Sequence, residues 1–163
     1  MNFYIEPKDI EEAHDRISGN IVNTPLVRSQ TLTDITGANT LFKLENLQMT
    51  GSFKERGALN KLLTLTDAEK ARGIIAASAG NHAQALAYHG DRLGISVKIV
   101  MPKYSPIVKV KSTEHWGAEV MLIGETFDDA MAASKEIVKK EKRTYIHPFD
   151  DPMIAAGQGT IAV

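Results

Sequence analysis

The stretch "GIIAASAGNHAQALAYHGDRLGISVKIV", residues 73–100, decides the fold class. Ile74 to Ala77 is an apolar run of strand length that Ser78, Ala79 and Gly80 interrupt. The residues after the turn place Ala83, Leu86, Ala87 and Gly90 on one helical face, and Ile95 to Val100 returns to a β-branched run. Strand, helix and strand in this order are the unit of a parallel sheet, because parallel neighbours need a connection long enough to hold a helix.

The alternation continues downstream. "SPIVKVKSTEHWG" (105–117) and "TFDDAMAASKEIVKKEK" (126–142) read as helices, while "AEVMLI" (118–123) and "TYIH" (144–147) read as strands. The expectation is an α/β fold: a four-stranded parallel sheet lobe covered by helices, with right-handed crossovers. Upstream lie a helix from Pro7 to about Ile17, a short segment "TPLVRS" (24–29), a helix near Leu32 and a strand "TLFKLENL" (40–47). Beyond "HPFDDP" (147–152), where prolines and aspartates break the periodicity, Pro152 opens a helical pattern that runs to Val163 without a cap. An apolar helix end of this kind is expected to run into more structure, so the chain reads as truncated relative to a complete fold.

Composition narrows the classes of function. The 163 residues carry 19 Lys plus Arg against 20 Asp plus Glu, a net charge of -1, which gives no general attraction to nucleic acid or an acidic membrane. There is no cysteine, which excludes disulfides, thiolate metal sites and a cysteine nucleophile. His14, His82, His89, His115 and His147 lack metal-ligand spacing, so no bound metal is expected. No run approaches the about 18 apolar residues of a membrane span, nor does the charged N-terminus resemble a signal peptide. A cytoplasmic protein acting on a small molecule is the default reading.

Two constellations carry chemistry. The turn at Ser78 to Gly80 ends a parallel strand, where open α/β sheets bind ligands, and the next helix would offer free N–H groups to a carboxylate or phosphate. A purely local reading stands beside this one: Asn81 as N-cap, Gln84 completing a capping box, and small residues for close packing. His82 is a candidate ligand or base there, or simply a packed histidine.

The second is "TGSFKERGALNK" (50–61). Ser52 and Glu55 have capping-box spacing, which puts Lys54 in a first helical turn. The positive end of the helix dipole disfavours a cation there and would depress the amine's pKa, and only a neutral amine attacks a carbonyl. Gly57 and Ala58, three and four residues on, leave a surface that a flat ring could approach. Local physics leaves open whether Lys54 is reactive or a surface lysine beside Glu55.

Taken together, "GSFKERGALN" (51–60), "SAGNHAQALA" (78–87), "VKIVMP" (97–102) and "AAGQGTIA" (155–162) resemble the threonine dehydratase (threonine ammonia-lyase) family of fold-type II pyridoxal phosphate enzymes. The resemblance covers nearly the whole chain and is similar to that family's N-terminal half. It implies a tryptophan synthase β-like fold with an N-terminal segment of the larger lobe (1–52), a small α/β lobe (53–150) and the start of the remaining, incomplete larger lobe (151–163).

The resemblance also implies roles. Lys54 would hold pyridoxal 5'-phosphate as a Schiff base and later remove the α-proton, with Phe53 packed beside the ring. Asn81 would bond the cofactor's phenolic oxygen, and Ser78, Ala79, Gly80, Asn81 and His82 would bind the substrate carboxylate. The implied reaction deaminates threonine, and serine less well, by dehydration to a 2-oxo acid and ammonia. The complete enzyme would be a homo-oligomer. Serine racemases resemble the chain at the same motifs, but their second loop serine is Ala79 here, which favours dehydration. The family's glycine-rich phosphate loop has no counterpart before Val163, so a serine dehydratase or racemase and a non-catalytic fragment stand as alternatives.

Overall fold

The computed structural model describes residues 4–163. Helix α1 spans Pro7–Ile17, and proline suits its first turn because the N–H it lacks would have no partner there. Strands β1 (Leu26–Arg28) and β2 (Leu41–Lys43) form an antiparallel hairpin around α2 (Gln30–Thr36). The strand read over 40–47 is shorter than expected: after Lys43 the chain tightens into a 3-10 turn, Glu45–Leu47. Helix α3 (Lys54–Leu63) follows, then α4 (Asp67–Arg72), which the periodicity did not reveal. Its signal is a capping box instead, with Glu69 N–H donating to Thr66 Oγ1 (3.3 Å) and Thr66 N–H to the Glu69 carboxylate (2.8 Å).

The βαβ region forms as expected. Strands β3 (Ile74–Ala77), β4 (Val97–Met101), β5 (Glu119–Leu122) and β6 (Thr144–Tyr145) alternate with α5 (Asn81–Arg92), α6 (Ile107–His115) and α7 (Phe127–Glu141). All three strand pairings are parallel, in the order β5-β4-β3-β6. The chain therefore builds outward from β3 to β5, then crosses back to add β6 on the other side of β3. One sheet face buries Ile74, Ala76, Val97, Ile99 and Met101 against α3, α5 and α6, together with Ile154 of α8 (Pro152–Gly159). The other buries Ile75 and Val100 against α7. Each fully buried Ile or Val contributes about 1.5–3 kcal/mol by leaving water.

Three local expectations fail. Phe53, not Ser52, is the N-cap of α3, and the Glu55 carboxylate accepts the Thr50 N–H instead of reaching back to Ser52. Gly80, not Asn81, caps α5, and neither Asn81 nor Gln84 makes a side-chain cap bond. The surface at Gly57 is not open to a ring: α8 crosses α3 there, with the Gln158 side chain on the Gly57 N–H at 3.1 Å. Finally, α8 ends at Gly159 and the chain finishes in a 3-10 turn, Thr160–Ala162. Among the described residues no helix is long and apolar enough to cross a membrane.

Candidate active site

The strand order creates one special crevice. Sequential strands run away from β3 on one side, and the return to β6 on the other reverses direction, so β3 and β6 flank a topological switch point. In open α/β sheets the loops leaving the carboxyl ends of such strands diverge and leave a cleft. Ser78 to Gly80 leave β3 here, and Ile146 to Pro148 leave β6. Lys54 reaches this same place from α3, its Nζ donating to the Pro148 carbonyl at 3.1 Å. The site is thus built from three elements whose contributions are 94 residues apart at the widest, Lys54 to Pro148.

Lys54 is half-buried, and burial lowers its pKa below the ordinary lysine value. The expected direction is right, but desolvation is the cause rather than the helix dipole. The ammonium also lies over the Phe53 ring, 5.4 Å from its centroid, and Phe53 itself is 40% exposed. Both features leave the amine partly desolvated.

Opposite stands the start of α5. Gly80 N–H donates to Ser78 Oγ (3.3 Å), which curls the hydroxyl over the turn. The Asn81 and His82 N–H groups come first in the helix and have no intrahelical acceptor. No atom lies within 4 Å of the position a Cβ would take on Gly80, so the approach to these donors is open. Asn81 is exposed, and its amide is committed to no cap.

His82 points inward instead. Its ring is 3% exposed, and neither ring nitrogen has a hydrogen-bond partner among the described residues. Its pKa is pushed down to about 4, chiefly by burial and then by the Lys54 charge, with the Ile146 backbone opposing. At neutral pH the ring is therefore uncharged. The charges of Lys54, His147 and Asp151 all bear on His82. Pro148, His147 and Asp151 were not among the residues expected from sequence; "HPFDDP" read only as a boundary, because nothing local reveals that β6 is the neighbour of β3.

This donor set fits pyridoxal phosphate. An amine with a lowered pKa suits the aldehyde carbon, a free amide suits the phenolic oxygen, and unpaired helix N–H groups suit a carboxylate.

Comparison with known proteins agrees with that chemistry. Residues 17–163 match the family model described as pyridoxal-phosphate dependent enzyme. The chain is 46% identical over 156 residues to L-threonine ammonia-lyase of Thermotoga maritima, covering 96% of this chain and 39% of that protein. It is 49% identical over 155 residues to the catabolic L-threonine dehydratase TdcB of Escherichia coli K12, covering 95% and 47%. Among solved structures, serine racemase from Dictyostelium discoideum superposes with a TM-score of 0.90 at 37% identity, over 97% of this chain and 52% of that one. The chain thus spans about half the length, or less, of the relatives it matches. With a lysine amine held at the switch point of its sheet, and with an architecture shared with fold-type II enzymes, the chain belongs to the family of pyridoxal-phosphate dependent enzymes.

Proposed function

We propose that the enzyme containing this chain deaminates L-threonine, and L-serine less well, by dehydration to a 2-oxo acid and ammonia. The observation that carries the reading is the Lys54 amine, partly desolvated and resting on the Pro148 carbonyl across from the α5 N-terminus. Because the chain covers 39% and 47% of the two curated relatives, the proposal is made for the whole enzyme.

When bound, pyridoxal phosphate supplies the electron sink for the substrate's α-carbon. Lys54 would hold the cofactor, and the Asn81 amide would orient it. Ser78 and the Asn81 and His82 N–H groups take the substrate carboxylate, which fixes the α-C–H bond toward the lysine. Lys54 Nζ would take up the α-proton and would deliver a proton to the β-hydroxyl, so that the hydroxyl leaves as water. The Pro148 carbonyl gives its ammonium a resting partner. Ala79 carries no hydroxyl, so the loop offers no proton donor at that position, which supports elimination over racemisation.

The test is direct. Mixed with pyridoxal phosphate, the protein develops visible absorbance, and borohydride fixes the label on the peptide containing Lys54. Labelling rises at a lower pH than for an exposed lysine such as Lys135, in keeping with the lowered pKa. Lys54→Ala removes absorbance, label and threonine-dependent ammonia release; unchanged absorbance in that variant, or label on another lysine, refutes the assignment.

A further inference from the structure

The residue after the lysine is an acid with no place in the reaction above. Glu55 is 1% exposed, and its carboxylate has two contacts inside the protein. One oxygen accepts the Thr50 N–H, which closes the loop Thr50–Glu55 around Gly51, whose φ is 71°. The other faces His89 of α5, with Oε2 3.6 Å from Nε2. His89 is 0% exposed, and neither of its ring nitrogens has a hydrogen-bond partner among the described residues. The distance is beyond a hydrogen bond, so the two groups face each other without one. An acid and an imidazole facing each other in a dry core cost desolvation energy that a pair of apolar side chains would avoid.

What the pair joins gives it a use. Consecutive helical residues diverge by about 100°, so an inward Glu55 turns Lys54 outward to the cleft. The Thr50–Glu55 closure fixes the turn that presents the amine. His89 lies on the helix whose first turn carries the Asn81 and His82 N–H groups. The contact therefore ties the lysine's helix to the helix that would hold the substrate carboxylate, at a point buried between them.

We propose that Glu55 and His89 are positioning residues for Lys54: Glu55 sets the lysine turn, and His89 locks that turn to α5 so that both halves of the site stay in register. The inference rests on the reading of Lys54 given above, and its test separates the two. The readout is the rate at which pyridoxal phosphate becomes borohydride-fixed on Lys54 in the purified protein, with thermal melts alongside. Glu55→Ala slows labelling about tenfold, the scale expected for loss of a buried hydrogen bond and a small misplacement of the amine. Glu55→Gln, which keeps an oxygen for the Thr50 N–H, regains most of the rate. His89→Ala is slowed, and His89→Gln, which keeps a donor toward Glu55, is restored.

Leu62→Ala, at the far end of the same helix and fully buried, supplies the control for general destabilisation and labels at the unaltered rate. The proposal is overturned if Glu55→Ala and His89→Ala label as fast as the unaltered protein, or if Leu62→Ala, at a comparable fall in melting temperature, slows labelling equally. Should Glu55→Ala not fold, the His89→Ala and His89→Gln pair decides, and equal rates in the two overturn it. Absence of label on Lys54 in the unaltered protein instead removes the functional reading on which the inference stands.

Discussion

His82 is where burial has the clearest consequence for pH. The unfolded chain takes up a proton on this residue near pH 6.5, whereas the folded protein refuses it down to about 4. Between those values the unfolded state binds more protons, so stability is full above pH 6.5 and falls as the pH drops toward 4, by about 3 kcal/mol in all. Replacing His82 with Gln is expected to flatten this part of the curve of melting temperature against pH; equal slopes in variant and parent would mean that other groups titrate there. The sequence named His82 as a ligand, base or packed residue, and the structure shows a packed ring. Its orientation was not legible, because which face of α5 meets the lysine depends on where α3 docks. Lys54 was legible as a first-turn lysine, and its lowered pKa was anticipated, but the desolvation that causes it comes from contacts distant in sequence.

At the scale of elements, the crossing of α3 and α8 is the tightest joint. A Cβ on Gly157 would lie 2.6 Å from the Gly57 Cα and 2.8 Å from the Arg56 carbonyl, both backbone atoms that cannot step aside. On Gly159 it would meet the tip of the Ile10 side chain at 2.8 Å, which can turn away. Gly157→Ala should therefore destabilise by about 1–3 kcal/mol or more, and Gly159→Ala by distinctly less, as measured by urea unfolding. The glycines of "GQGT" thus serve packing. Helices α1, α5 and α7 and all four parallel strands were legible from periodicity, since a buried stripe repeats along the element itself. The two capping boxes at Ser52 and Asn81 were misread for a related reason. Spacing shows which side chains could cap, but Glu55 turns to the Thr50 N–H and Gly80 takes the capping position, one residue before Asn81.

Across the whole molecule, a buried ion pair and a hydrogen bond tie the Glu45 turn and the C-terminal Thr160 to the lysine's helix. Arg56 grips Glu45 with two bonds, Nε to Oε2 at 2.8 Å and a terminal nitrogen to Oε1 at 2.7 Å, and reaches Thr160 Oγ1 at 3.2 Å. Burial alone would raise the Glu45 pKa, but the Arg56, Thr24 and Gln48 bonds outweigh it and hold the carboxyl below its ordinary value. Arg56→Ala leaves that carboxylate buried and unpaired and should cost about 3–5 kcal/mol, whereas replacing Arg56 and Glu45 together with Met and Leu should cost less. Chemical denaturation of the three variants measures the difference, and strictly additive losses would show that the pair is not coupled. By itself, the sequence determined the α/β class, the parallel strands, the family resemblance and the candidate residues at Lys54 and Ser78 to His82, because each is written in short-range periodicity or in contiguous motifs. Only the tertiary structure decided that β6 returns beside β3, that Pro148 receives the lysine, that α8 fills the space beside Gly57 and that Glu55 faces His89. Those outcomes depend on which buried surfaces find each other across tens of residues, and no local pattern carries that information.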